Sequence, residues 1–219
     1  GAVKAFGGLS RFLTKFTQKG AAAVKTSLLF SSYPFINSEK VTLTRITDMD
    51  LEALWQILGD EESHRFTAEG PLDSHRECAR RLRRFDTMFQ DQRGVVLGIY
   101  STLNQLVGLR KISNINPEVG AVNLDFMLNQ AFTGYGYASA AVRATCDYLF
   151  QTVGVHRIQC FLMPINYRAM LVLERCGFVK EGTIREGFLW PDKGIVDLAL
   201  YSLLPTDLKQ KKAGPTYYL

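Results

Sequence analysis

No apolar run in this 219-residue chain approaches the roughly 18 residues that cross a bilayer, so no membrane-spanning helix is expected. Cysteine and histidine are scarce: Cys78, Cys146, Cys160 and Cys176 show no C-x-x-C spacing, and there are only three histidines. That pattern predicts buried, reduced thiols in a reducing compartment and no metal site. A P-loop Gly-Lys-Ser/Thr is missing, and so is a third glycine at the dinucleotide-binding spacing, which removes the two common phosphate fingerprints. Acidic residues are absent from residues 1–38, which carry Lys4, Arg11, Lys15, Lys19 and Lys25. Of 26 basic residues, the other 21 match the 21 Asp and Glu, so the net charge of +5 belongs to this leader. Direct nucleic-acid binding by the remainder is not expected.

What is present suffices for one good-sized core, since 47% of residues are hydrophobic. The most informative stretch runs from Val119 to Gly154. Val122, Leu124, Phe126 and Leu128 alternate with Asn123, Asp125 and Asn129, the period of a strand. From Ala138 the apolar positions become Val142, Cys146, Leu149 and Val153, the period of a helix, which Gly154 stops. Between them lies Thr133-Gly134-Tyr135-Gly136-Tyr137-Ala138. Glycines at a helix start present free backbone N–H groups at the positive end of the dipole, where a phosphate binds. They equally serve a turn that needs glycine for its backbone angles, and the two readings stay open at this point.

Downstream, Val155 to Pro164 reads as a strand closed by proline, and Asn166 to Gly177 as a short helix. There follow Gly177-Phe178, Glu181-Gly182, Arg185-Glu186, Asp192-Lys193-Gly194, and a last strand from Asp197 to Tyr201. This ordered set, over roughly residues 40 to 205, resembles the GNAT superfamily of acyl-CoA N-acyltransferases. Within it, the set is most similar to the RimJ/RimL-like enzymes that acetylate ribosomal-protein N-termini. The resemblance implies an α/β fold of three layers, α/β/α, around a mixed, mostly antiparallel sheet.

The preceding segments are consistent with that order. Glu39 to Ile46 alternates as an opening strand; Thr47 and Asp50 form a capping pair before a helix at Leu51–Leu58. A basic helix is predicted from about Ser74 to Phe89, then a hairpin turning at Thr102-Leu103-Asn104. The expected organisation is a basic extension over 1–38, a GNAT domain over 39–205 and a tail over 206–219. Phe6, Leu9, Phe12, Leu13 and Phe16 recur at helical spacing among basic residues. Three readings stay open for it: an amphipathic helix packed on the domain or a partner, a membrane-surface or organelle-targeting segment, and a disordered leader. A cytoplasmic location is expected, with organelle targeting left open.

The resemblance also implies site residues. The pantetheine arm of acetyl-CoA would pair with the backbone of Asp125, Phe126, Met127 and Leu128, and the pyrophosphate would lie on the amides of Thr133, Gly134, Tyr135, Gly136, Tyr137 and Ala138. Asn166 matches the asparagine that contacts the arm, and it also suits a helix N-cap. Ala131 stands where an arginine or glutamine often leads the loop. Direct transfer needs a base for the amine and a proton for the departing thiolate. Asp125 and Glu186 are the candidate bases. The two usual acids are missing, because Ala169 replaces a serine and Leu173 a tyrosine; Tyr135 is a substitute candidate. Glu61, Glu62, His64 and Arg65 are candidates for acceptor contact. The expected activity is acetyl transfer to a primary amine, first of all a protein N-terminus, with small amines next. The rival is a GNAT-fold module that binds acyl-CoA or a protein partner without turnover. A homodimer stays open.

Overall fold

Alternating apolar residues build the strands, and they leave two apolar faces for helices to cover. The computed structural model describes residues 25–212. Its strands are β1 (Ile36–Asn37), β2 (Val41–Thr44), β3 (Gly94–Ser101), β4 (Leu106–Asn116), β5 (Ala121–Leu128), β6 (Arg157–Leu162), β7 (Val179–Trp190) and β8 (Gly194–Leu203). They form a single sheet in the order β1-β2-β3-β4-β5-β6-β8-β7. Every neighbouring pair is antiparallel except β5–β6.

One face carries Leu97, Ile112, Val122, Leu124, Ile158 and Leu203. It is covered by helix α4 (Tyr137–Tyr148), through Val142 and Cys146, and by helix α5 (Tyr167–Arg175), through Leu173. The other face presents Val96, Tyr100, Leu106 and Leu109 to helices α2 (Leu51–Leu58) and α3 (His75–Gln90). Leu54, Ile57, Cys78 and Leu82 fill that second layer. Each buried leucine or isoleucine among them contributes about 1.5–3 kcal/mol. This is the three-layer α/β/α arrangement expected, with the mixed, mostly antiparallel sheet. All four cysteines are buried.

Local signals act where the sequence put them. The Thr47 and Asp50 capping box precedes α2, and Ser74 accepts the Glu77 amide at the start of α3. The β3–β4 hairpin turns through Asn104 at φ 59°. The helix after the two-glycine loop widens to a π turn over Leu149–Val153 before Gly154, at φ 81°, ends it.

The packed unit begins before the expected boundary at residue 39. Helix α1 (Thr26–Phe30) places Leu29 in the core at 0% exposure, and Ile36 is buried. Tyr33 stacks on Phe89 of α3 at 4.0 Å. Past the expected end, helix α6 (Pro205–Lys212) packs Leu208 on the same core. The amphipathic helix expected around Phe6 to Phe16 lies outside the described residues. No described helix is long and apolar enough to cross a membrane.

Candidate active site

The parallel pairing of β5 and β6 covers three residue pairs, from Ala121↔Arg157 to Asn123↔Gln159. Beyond it the strands part. On its other side β5 stays paired with β4 as far as Leu128, so the β6-facing edge from Leu124 to Leu128 has no strand partner among the described residues. Five residues of open edge offer an extended ligand about 16 Å of backbone. Asn123 helps close the fork, its Oδ1 accepting from Gln159 Nε2 at 2.7 Å.

At the open end β5 delivers the chain into the loop. Asn129 Oδ1 accepts from the Ala131 amide at 2.9 Å and turns the backbone. Gly134 and Gly136 then take φ values of +86° and +80°, the left-handed region that disfavours any Cβ. Space around Gly134 is open to 4 Å. Gly136 caps α4, whose first amides have no intrahelical acceptor. Phe132 and Tyr135 each lie 6.2 Å, centroid to centroid, from Tyr137, and Tyr135 is exposed.

Sequence reasoning missed Lys40. From just before β2 its ammonium stands 5.6 Å from the Tyr137 ring centre and 3.2 Å from where a Cβ on Gly136 would lie. It brings to the loop the positive charge that Ala131 does not supply. Nothing near Lys40 in the chain signals this, because the contact spans almost one hundred residues. Arg168 also reaches the loop, 3.5 Å from Gln130 Oε1.

Phe126 and Leu128 point to the α4 and α5 face, whereas Asp125 and Met127 alternate to the opposite one. Asp125 is reached by solvent yet crowded by protein, as befits the wall of a narrow cleft. Burial pushes its carboxyl above the ordinary range, and the positive charges of Lys111 and Arg110 oppose the shift. Glu186 is not brought to it: β6 and β8 stand between β5 and β7. At φ 50°, in an irregular part of β7, Glu186 donates its amide to Asp197 Oδ1 at 2.7 Å. Asn166 caps α5 by accepting from the Ala169 amide at 3.3 Å. Ala169 and Leu173 are buried and carry no proton to give. Among the acceptor candidates His64 is turned inward, bonded through Nδ1 to the Asp60 carbonyl at 2.7 Å. Glu62 and Arg65 pair with each other at the surface.

A sheet forked beside a two-glycine helix start is the architecture of an acyltransferase that draws on an extended, phosphate-bearing donor. Residues 40–179 match the acetyltransferase (GNAT) domain family, and the chain belongs to it. It is an N-acetyltransferase. Among curated relatives, the uncharacterized N-acetyltransferase YoaA of Bacillus subtilis is 22% identical over 173 residues, 78% of this chain and 97% of that protein. The ribosomal protein uS5 alanine N-acetyltransferase of Escherichia coli is 31% identical over 86 residues, 39% of this chain and 44% of that protein. A solved spermidine N-acetyltransferase of Vibrio cholerae, in complex with CoA and spermine, superposes with a TM-score of 0.67 at 20% identity, covering 78% of this chain and 98% of that one.

Enzymes of this family use acetyl-CoA, and the residues present fit it. The unpaired edge of β5 can bond the amides of an extended arm, and the space at Gly134, the α4 amides and Lys40 suit a pyrophosphate.

Proposed function

We propose that this enzyme acetylates the N-terminal amine of a protein, a ribosomal protein first, by direct transfer from acetyl-CoA. The observation that carries the mechanism is the fork beyond Asn123↔Gln159, with Asp125 on the wall just past its closed end. Bound acetyl-CoA supplies a thioester whose acyl carbon accepts the amine directly. Asp125 takes the proton of the attacking amine, itself or through water, or first holds the cationic form in place. The β5 backbone aligns the arm, Asn166 reaches it from the start of α5, and Lys40 with the α4 amides holds the phosphates. No cysteine is needed as a nucleophile.

Support for a protein acceptor comes from the likeness to the uS5 alanine acetyltransferase. A polyamine acceptor fits less well. The outward side of α3 carries Arg76, Arg80, Arg83 and Arg84, all exposed, and these repel a polycation. Calorimetric titration with acetyl-CoA, followed by CoA release with N-terminal peptides, spermidine and small amines, tests the reading. Release with peptides supports it, and release with spermidine alone would replace the acceptor.

A further inference from the structure

Arg110 is a buried charge that the site described so far does not use. It stands on β4 opposite Phe126 of β5, at 0% exposure, on the face covered by α4 and α5. None of its three side-chain nitrogens has a hydrogen-bond partner among the described residues. Its close compensation is the Phe126 ring, 5.2 Å from the guanidinium carbon to the centroid. Burial lowers its proton affinity to a pKa of about 10, so it is still charged at neutral pH. A core gains nothing from such an ion that an apolar side chain of similar volume would not supply better.

Its position suggests the use. The groups that feel its charge are Cys146 of α4, Cys176 just past α5, Cys160 of β6 and Asp125 of β5. Cys160 is the first β6 residue beyond the last β5–β6 pair, and Asp125 is the second such residue on β5. Arg110 stands opposite Phe126, the third β5 residue past that pair, so the guanidinium lies beneath the fork, close to its closed end. Burial holds the Cys146 and Cys160 thiols neutral. Asp125 and Lys111 project from the opposite face of the sheet. With the phosphates at the α4 loop and the arm along Asp125 to Leu128, the sulfur end of the donor falls at this closed end.

We propose that the buried guanidinium of Arg110 stabilises the departing CoA thiolate through its field, in place of the hydroxyl that Ala169 and Leu173 lack. This rests on the acetyl-CoA-dependent reading above. As the bond from amine nitrogen to acyl carbon forms, the carbon–sulfur bond breaks and its electron pair leaves on sulfur. The amine proton passes toward Asp125. The thiolate persists in the field of Arg110 until water protonates it. Arg110 touches neither substrate and is a positioning residue for charge.

The test titrates the thiol of CoA bound to the full chain, followed by thiolate ultraviolet absorbance, and repeats it with Arg110→Met and Arg110→Lys. The bound thiol is expected to ionise at lower pH than free CoA. In Arg110→Met that advantage disappears and kcat falls about 10- to 100-fold with KM little changed, while the chain unfolds at higher temperature; Arg110→Lys recovers part of both. A bound thiol that ionises no more readily than free CoA overturns the proposal, and this measurement needs no variant. So does an advantage that persists in Arg110→Met, or a variant that only loses stability. Because the thiol titration needs no acceptor, failure to find an amine substrate strikes the proposed function and leaves Arg110 to be judged separately.

Discussion

Lys40 and Tyr137 meet across the mouth of the two-glycine loop, ammonium over ring at 5.6 Å, although one directly precedes β2 and the other opens α4. The contact sets a cation beside Gly136, where the chain's own loop sequence has none. Lys40→Ala is expected to weaken acetyl-CoA binding about 2- to 5-fold, the worth of one exposed charge pair, with a weaker dependence on salt. Gly136→Ala should cost more, since it forces a Cβ into φ +80° and toward Lys40 at 3.2 Å. Calorimetry at two ionic strengths measures both. Equal binding by Lys40→Ala and the parent chain would remove Lys40 from the site.

Asp125 is expected to trade stability for activity. Its carboxyl titrates above the ordinary range because the protein crowded around it displaces part of its water. The folded chain therefore keeps this proton where the unfolded chain has lost it, and stability falls as pH rises through that window. Asp125→Asn should thus raise the unfolding temperature at neutral pH, by less in mild acid, while lowering kcat about 100-fold or more. Full turnover in Asp125→Asn would end its role as base.

Glu186 is expected to behave differently. Its amide, not its carboxylate, makes the contact to Asp197, so Glu186→Gln should leave kcat within about threefold. A larger loss, measured under saturating acetyl-CoA, would make it the base in place of Asp125.

Tyr33 ties the segment before β1 to the domain. Its hydroxyl donates to Asp86 Oδ1 at 2.6 Å, Arg45 donates to Asp86 Oδ2 at 2.9 Å, and its ring stacks on Phe89. Tyr33→Phe should cost about 1–2 kcal/mol of stability, and Tyr33→Ala more. Denaturant midpoints with unchanged slopes would show both. A silent Tyr33→Ala would mean that the segment adds nothing to the packed unit.

Leu29→Ala should cost about 2–5 kcal/mol, the range for a fully buried leucine. A loss below roughly 1 kcal/mol would put α1 outside the cooperative unit.

The strand and helix periods around Val122 and Val142, the capping box at Thr47 and Asp50, and the glycines at 134 and 136 were legible because each is a local signal. A backbone angle, a cap or an alternating face is dictated within a few residues. The packing of Leu29 was not, because its helix meets the turn at Leu149–Val153, more than one hundred residues along the chain. Asn166 was legible as a cap for the same local reason that Ser74 was.

The chain alone, then, determined the order of elements, the family and the position of the two-glycine loop, since these depend on periodicity, turn chemistry and an ordered set of motifs. Only the tertiary structure decided that a cation beside the loop comes from Lys40 and that two strands stand between Glu186 and β5. It alone isolated Arg110 beneath the fork. Those facts depend on which strands become neighbours, and strand pairing brings together residues whose separation along the chain carries no local mark.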